Sequence, residues 1–250
     1  MVARRINTGG GHRYEDDGEP IPGVTSILRD GVPKPALVGW AANTAAEYAV
    51  NHWGELEQQS LLTRAKTIAN ARYETTKQAA ARGTKVHEYA HQLMVGETID
   101  VDEDVRALVD QCLAWLSDYD VVELRAEGTV INRRYGYMGS FDLLCGIGSE
   151  YWLIDYKTGG VYSEAALQLV AYARAEAVVD ADGSEHVMPE VDRAGVLYLA
   201  ADHYEFSEAR IDDATFATFL VAKHMAEHAN RDRDAYLRPM PAPERTEAAS

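Results

Sequence analysis

Apolar residues recur at helical spacing through the first half of the chain and at strand spacing through much of the second. Thr25 or Ser26 is placed to cap a short helix starting near Ile27. Pro33 and Pro35 then break the chain, and the Ala-rich run from Ala36 to Val50 reads as a helix. A long helical region is predicted from Ser60 to Val95, with Gly83 as a kink or break. Val105, Leu108, Val109, Cys112, Leu113 and Leu116 mark one face of a helix over Val101–Tyr119. There the rhythm changes. Val121–Arg133, Tyr137–Ile147 and Tyr151–Lys157 read as strands, Ser163–Val179 as a helix, Val196–Ala200 and His203–Phe206 as short strands, and Ala214–Ala229 as a last helix. Nearer the start, His12–Pro20 holds an Asp17-Gly18 turn signal that suits a small hairpin. This order predicts one α/β domain over residues 1–237, a mixed central β-sheet flanked by helices. Its N-terminal helical region covers about 24–120 and forms one wall of a cleft; its core covers about 121–232. The tail 238–250, rich in Pro, Ala and Glu, reads as disordered.

Composition narrows the field without naming a function. Hydrophobic residues make up 46% and charged residues 26%, the balance of a soluble globular chain. No apolar run is long enough to span a membrane, and no apolar segment follows the basic start to make a secretory signal. A cytoplasmic protein is therefore expected. Cys112 and Cys145 stand far apart in apolar surroundings and read as buried reduced thiols. The net charge of −16 argues against broad affinity for nucleic acid, yet it is uneven. From Ser60 to Ala90, six basic residues (Arg64, Lys66, Arg72, Lys77, Arg82, Lys85) face only Glu74 and Glu88. The six do not fall on one helical stripe, so a solvated surface competes evenly with a phosphate track.

The chemistry concentrates in Tyr137–Lys157. Two strand-like runs meet at Gly148-Ser149, where a Gly-first two-residue loop suits a type II′ turn. That turn pairs Ile147 with Glu150 and, counting inward, Asp142 with Asp155 and Ser140 with Lys157. Directly opposed residues have Cβ atoms roughly 4.5–5.5 Å apart, so two carboxylates meet there and repel. Leu144 and Leu153 share their face, while Phe141, Leu143, Trp152 and Ile154 line the other. A carboxylate pair shielded by such neighbours is costly unless it binds a cation or shares a proton. Oxygen ligands at this spacing suit Mg²⁺ or Mn²⁺. Lys157, two residues beyond Asp155, points to the same face. A cation, a lysine and two carboxylates form a sound arrangement for phosphodiester hydrolysis.

Four short motifs in order extend this reading: Gly83-Thr-Lys-Val-His87, Gly139-Ser-Phe-Asp142, Asp155-Tyr-Lys157 and Gln168-x-x-x-Tyr172. Together they resemble the PD-(D/E)XK nuclease superfamily, most nearly its RecB-like and phage exonuclease branch. Pro22–Val50 is also similar to the leader of phage-encoded members. The resemblance implies a restriction-endonuclease-like core and a DNA exonuclease of recombination, repair or phage replication, in a bacterial or phage-infected cell. His87, Asp142, Asp155 and the Tyr156 carbonyl would hold the metal, and Lys157 would be the catalytic lysine. Gln168 and Tyr172, one helical turn apart, would border the site and position DNA. A recombinase, a single-strand-binding protein or a helicase would be the partner. Two departures matter. Some relatives carry Glu where Asp155 stands, and some carry a four-Cys iron–sulfur cluster, which two cysteines cannot build.

Two rivals remain. His87-Glu-Tyr-Ala-His91 fits the His-Glu-x-x-His zinc-protease signature, with Glu88 as general base. No downstream motif nominates its third ligand, and it leaves the Asp142–Asp155 pairing unexplained; His91 then reads as a core histidine. The second rival is a catalytically inactive nuclease fold that binds DNA. Glu127 reads as a solvent-facing strand residue, with support of the site as the alternative. The acidic stretch Asp180–Asp192 fails EF-hand spacing and reads as a surface loop.

Overall fold

The computed structural model describes residues 2–9, 11–94, 97, 100–229, 231, 236–237 and 240. Apart from Met240, the tail expected to be disordered lies outside the described residues. The chain is α/β, with mixed sheet flanked by helices.

It opens on a three-stranded antiparallel sheet: β1 (Ala3–Thr8), β2 (Gly11–Asp16) and β3 (Glu19–Ile21). Asp17 (φ 52°) and Gly18 (φ 85°) supply the two left-handed positions of the expected hairpin turn. Five helices follow: α1 (Val24–Gly31), α2 (Pro35–Asn51), α3 (Trp53–Leu56), α4 (Leu61–Met94) and α5 (Glu103–Asp118). Two expectations fail here. Helix α1 starts from Gly23 with no side-chain cap, so Thr25 and Ser26 lie inside it. Helix α4 runs through Gly83 without a break. One glycine costs a helix about 1 kcal/mol, too little to end so long an Ala-rich run.

The remaining elements are β4 (Val122–Ala126), β5 (Thr129–Asn132), β6 (Tyr137–Ser140), β7 (Leu143–Ile147), β8 (Glu150–Lys157), α6 (Glu164–Ala173), β9 (Ala177–Val179), β10 (Glu185–Val187), β11 (Arg193–Leu199), β12 (Tyr204–Ala209) and α7 (Asp213–Ala229). The central sheet has the order β12-β11-β8-β7-β4. Its β8–β11 pair is parallel and its other pairs are antiparallel.

A second, antiparallel sheet, β10-β9-β5-β6, was not anticipated. It arises because two predicted strands each break. Val121–Arg133 breaks at Glu127-Gly128 and Tyr137–Ile147 at Phe141-Asp142. The breaks lie side by side: the Glu127 N–H donates to the Asp142 carbonyl (2.8 Å) and the Phe141 N–H to the Gly128 carbonyl (2.9 Å). Gly128 has no alternative, since a Cβ there would sit 2.1 Å from Phe141 Cζ. The chain also leaves α6 at Ala173, so Ala177–Val179, expected as helix, joins the second sheet.

Helices cover both faces of the central sheet. Leu144, Leu153 and Val196 pack with Leu169, Val170, Phe216, Phe219 and Ile27 from α6, α7 and α1. Leu143, Cys145, Trp152, Ile154 and Leu197 pack with Val86, Val105, Val109, Cys112 and Trp115 from α4 and α5. Phe141 joins the first layer, not the second as alternation predicts, because it lies where the chain changes sheet. Both cysteines are buried and unpaired, and burial pushes each thiol up to about 12. No helix among the described residues is long and apolar enough to cross a membrane.

Candidate active site

The β7–β8 hairpin has the register expected from its turn. Gly148 takes φ 61° while Ser149 stays at negative φ, and the ladder runs from Ile147↔Glu150 to Leu143↔Ile154. The rungs end there. Asp142 lies one residue past the ladder, and its Oδ2 accepts the Tyr156 N–H at 2.8 Å. The carboxylate thus caps the strand edge that β7 has just left. In a strand, one residue's N–H and C=O address the same neighbour, so the Tyr156 carbonyl faces this edge too. Ser140 is not the partner of Lys157. It remains in β6, paired with Thr129.

Asp155 is the most constrained charge at the site, with only 2% of its surface exposed. Gln168 Nε2, from α6, donates to its Oδ1 at 3.0 Å. Lys157 Nζ lies 2.6 Å from Oδ2, an ion-pair contact without good hydrogen-bond alignment. Burial raises its pKa to about 6; Asp142 pushes the same way, while Lys157 and His87 oppose. His87 comes from α4, with Nδ1 3.5 Å from Asp142 Oδ1 and its ring edge-on to Tyr156. Gln168 Nε2 also reaches Tyr172 Oη at 3.2 Å. Tyr172 is buried, and Gly139 makes room for it: a Cβ on Gly139 would lie 2.3 Å from the tyrosine ring. His87, Asp142, Asp155, Tyr156, Lys157, Gln168 and Tyr172 therefore form one connected group.

Other candidates fall elsewhere. His91 is not a core histidine: its side chain is 42% exposed, with Nδ1 3.9 Å from Glu123 Oε2. His87 and His91 thus face different carboxylates, Asp142 and Glu123, while Glu88 is exposed. Glu123 sits on β4, opposite Cys145; only the long-range β4–β7 pairing brings it near α4. Glu127 is exposed at φ 49° and serves the site through its backbone. Three of the six basic residues on α4 are already engaged, Arg72 by the Tyr73 hydroxyl at 2.7 Å. Arg64 donates to the Leu56, Glu57 and Gln59 carbonyls, and Lys85 pairs with Asp102 and Asp104. The acidic stretch Asp180–Asp192, expected as a surface loop, contains strand β10, and its Asp180 is taken up by Arg125, Ser184 and His186.

Among the described residues, no three His, Cys, Asp or Glu side chains gather closely enough to make a metal site by themselves. The donor set at the hairpin is mixed: two carboxylates, one imidazole and a strand-edge carbonyl. Hard oxygens with one nitrogen suit Mg²⁺ or Mn²⁺. The buried Asp155 oxygen, held only by a solvent-reaching lysine, is the feature that fits a cation best.

No family model matches the chain, and no curated protein matches it. Among solved structures, one described as the crystal structure of SSO0001 is similar at TM-score 0.39 and 14% identity, over 83% of this chain and 75% of that one. A likeness at that level carries no argument about function.

Proposed function

We propose that the chain is a divalent-metal-dependent DNA nuclease centred on Asp142, Asp155 and Lys157. The observation that supports it most is the buried Asp155 carboxylate beside Asp142, His87 and Lys157 at the end of one hairpin. Asp142, Asp155, His87 and the Tyr156 carbonyl would hold Mg²⁺ or Mn²⁺. When bound, that ion supplies a Lewis acid for the phosphate and lowers the pKa of water.

The chain's own groups do the rest. Lys157 neutralises charge building on the phosphate oxygens of the scissile bond. Gln168 fixes Asp155 Oδ1, which ties α6 to β8, and within the helix it also reaches Tyr172 Oη. Tyr156 orients Asp142 through its N–H. Exonucleolytic action in recombination, repair or phage DNA processing, with a recombinase, single-strand-binding protein or helicase nearby, rests on the motif resemblance alone.

The test is end-labelled linear and circular DNA incubated with Mg²⁺, Mn²⁺ or chelator. Wild type should cut only with metal, and Lys157→Ala should cut about 10²–10³-fold more slowly. Activity that survives both chelator and the lysine substitution refutes the reading. Tight DNA binding without cleavage under either metal would instead make the chain a DNA-binding protein.

A further inference from the structure

The N-terminal sheet was not expected near the hairpin, yet its Tyr14 hydroxyl lies 3.0 Å from Ser140 Oγ, two residues before Asp142. The β1–β2 register puts Ala3, Arg5 and Asn7 on the same face as Asp16, Tyr14 and His12. At one end this face is covered, with Asp16 ion-paired to Arg133. Ala3 and the Tyr14 ring are buried against Ile131, Met138 and Val179 of the second sheet. At the other end the same face carries Arg5, Asn7 and His12, all exposed.

Tyr14 joins the two halves. Its ring is in the core, while Oη lies 2.9 Å from His12 Nε2 and 3.0 Å from Ser140 Oγ. Ser140 in turn lies 3.3 Å from Thr129 Oγ1, so Tyr14 closes a chain of hydroxyls. Ser140 stands two residues before Asp142, beside the Gly139 that contacts the Tyr172 ring. Tyr14 and Tyr172 are close enough to influence each other electrostatically. Arg5 sits directly across from Tyr14. Together with partial burial, its charge disfavours protonation of His12. Among the described residues, no carboxylate pairs with Arg5. Around Gly9 and Gly11, in the β1–β2 connection, nothing lies within 4 Å of where a Cβ would stand. An exposed cation and an exposed imidazole therefore stand beside a buried phenol that reaches Ser140, in a chain of net charge −16.

We infer that Arg5 and His12, the imidazole oriented by the Tyr14 hydroxyl, bind a phosphate of the nucleic-acid strand presented to the Asp142–Asp155 centre. Arginine's planar fork donates to two phosphate oxygens at once, and the neutral His12 ring, with Tyr14 Oη donating to its Nε2, offers its Nδ1–H to a third. The identity of the strand rests on the nuclease reading, whereas the phosphate chemistry rests on the sheet. An internal phosphodiester and a terminal phosphate offer the same oxygens, and the experiment separates them.

Binding of fluorescein-labelled DNA is followed by anisotropy with Ca²⁺ in place of Mg²⁺. The probes are a linear strand with a terminal phosphate, the same strand without it, and a circle. Arg5→Ala combined with His12→Gln should weaken binding about tenfold. It should also flatten the slope of log affinity against log salt by about one. Arg4→Ala removes the same charge from the outer face and should stay within about twofold of wild type. Loss confined to the phosphorylated linear strand assigns a terminal phosphate; equal loss on the circle assigns an internal one. A double variant that behaves like Arg4→Ala on all three probes overturns the site. A wild type that never cuts with Mg²⁺ or Mn²⁺, while the Arg5 effect persists, overturns the nuclease reading and not this site.

Discussion

Two charged clusters in this protein use similar residues to opposite ends. At Arg133, one guanidinium lies between two carboxylates, 2.8 Å from Asp16 and 2.6 Å from Glu185. It clips the N-terminal sheet to the second sheet with each charge partnered. At the hairpin end, two carboxylates crowd together, and the more buried one is held by a lysine that reaches solvent and by a glutamine. The first cluster is arranged for stability. The second keeps a buried negative charge that the fold only partly compensates, a cost that the proposed cation site would offset.

The sharpest way to break this contrast is to remove the charge at Asp155 while keeping its shape. Asp155→Asn should reduce cleavage by at least about 10³-fold, as expected when a group acting in the transition state is lost. It should also stabilise the metal-free protein above pH 7 by about 1–3 kcal/mol, because a poorly compensated buried ion is gone. Thermal melts in chelator would register this as a rise of roughly 2–4 °C per kcal/mol. A melt that falls would place Asp155 with Arg133, as a structural charge.

The pH dependence of stability sharpens the same point. Burial raises the Asp155 pKa from 3.8 to about 6 in the native state. Across that window the native protein holds a proton that the unfolded chain has released. Metal-free stability should therefore fall as pH rises from about 4 to about 6, at up to about 1.4 kcal/mol per pH unit. Asp155→Asn should lose this contribution, seen in denaturant melts at each pH. An unchanged slope would mean that the proton sits elsewhere.

The smallest effect is expected at the other cluster. Arg133→Ala should cost about 1 kcal/mol, measured as a lower melting temperature, with no new dependence on added Mg²⁺. A loss of several kcal/mol would show that the N-terminal sheet needs this clip to remain docked.

What was legible in the sequence follows from locality. The Gly148-Ser149 turn and the alternation on either side of it set the β7–β8 register, because turn type and pairing are neighbours in the chain. His87, Gln168 and Tyr172 are joined to that hairpin only by the family resemblance of the ordered motifs, and the structure brings them beside it. The sheet change at Phe141-Asp142 was invisible, since the apolar rhythm continues through it. For the same reason alternation puts Phe141 on the face opposite to the one it occupies. Strand β1, Ala-Arg-Arg-Ile-Asn-Thr, carries no apolar alternation, and its one fully buried side chain is a small alanine. The Ala177-Val-Val179 run extends a helical pattern and becomes a strand only through its partner β5. Helical spacing puts His91 on the same side as His87, but only long-range pairing brings Glu123 to it.

The most direct test of the central claim is Mn²⁺ binding followed by electron paramagnetic resonance, without DNA. Wild type should take up Mn²⁺ from solution, with uptake weakening as pH falls below about 6, where a proton competes for Asp155. Asp142→Asn and Asp155→Asn should each abolish that uptake, while Glu123→Gln should leave it intact. Equal Mn²⁺ binding by wild type and both aspartate variants would contradict the account.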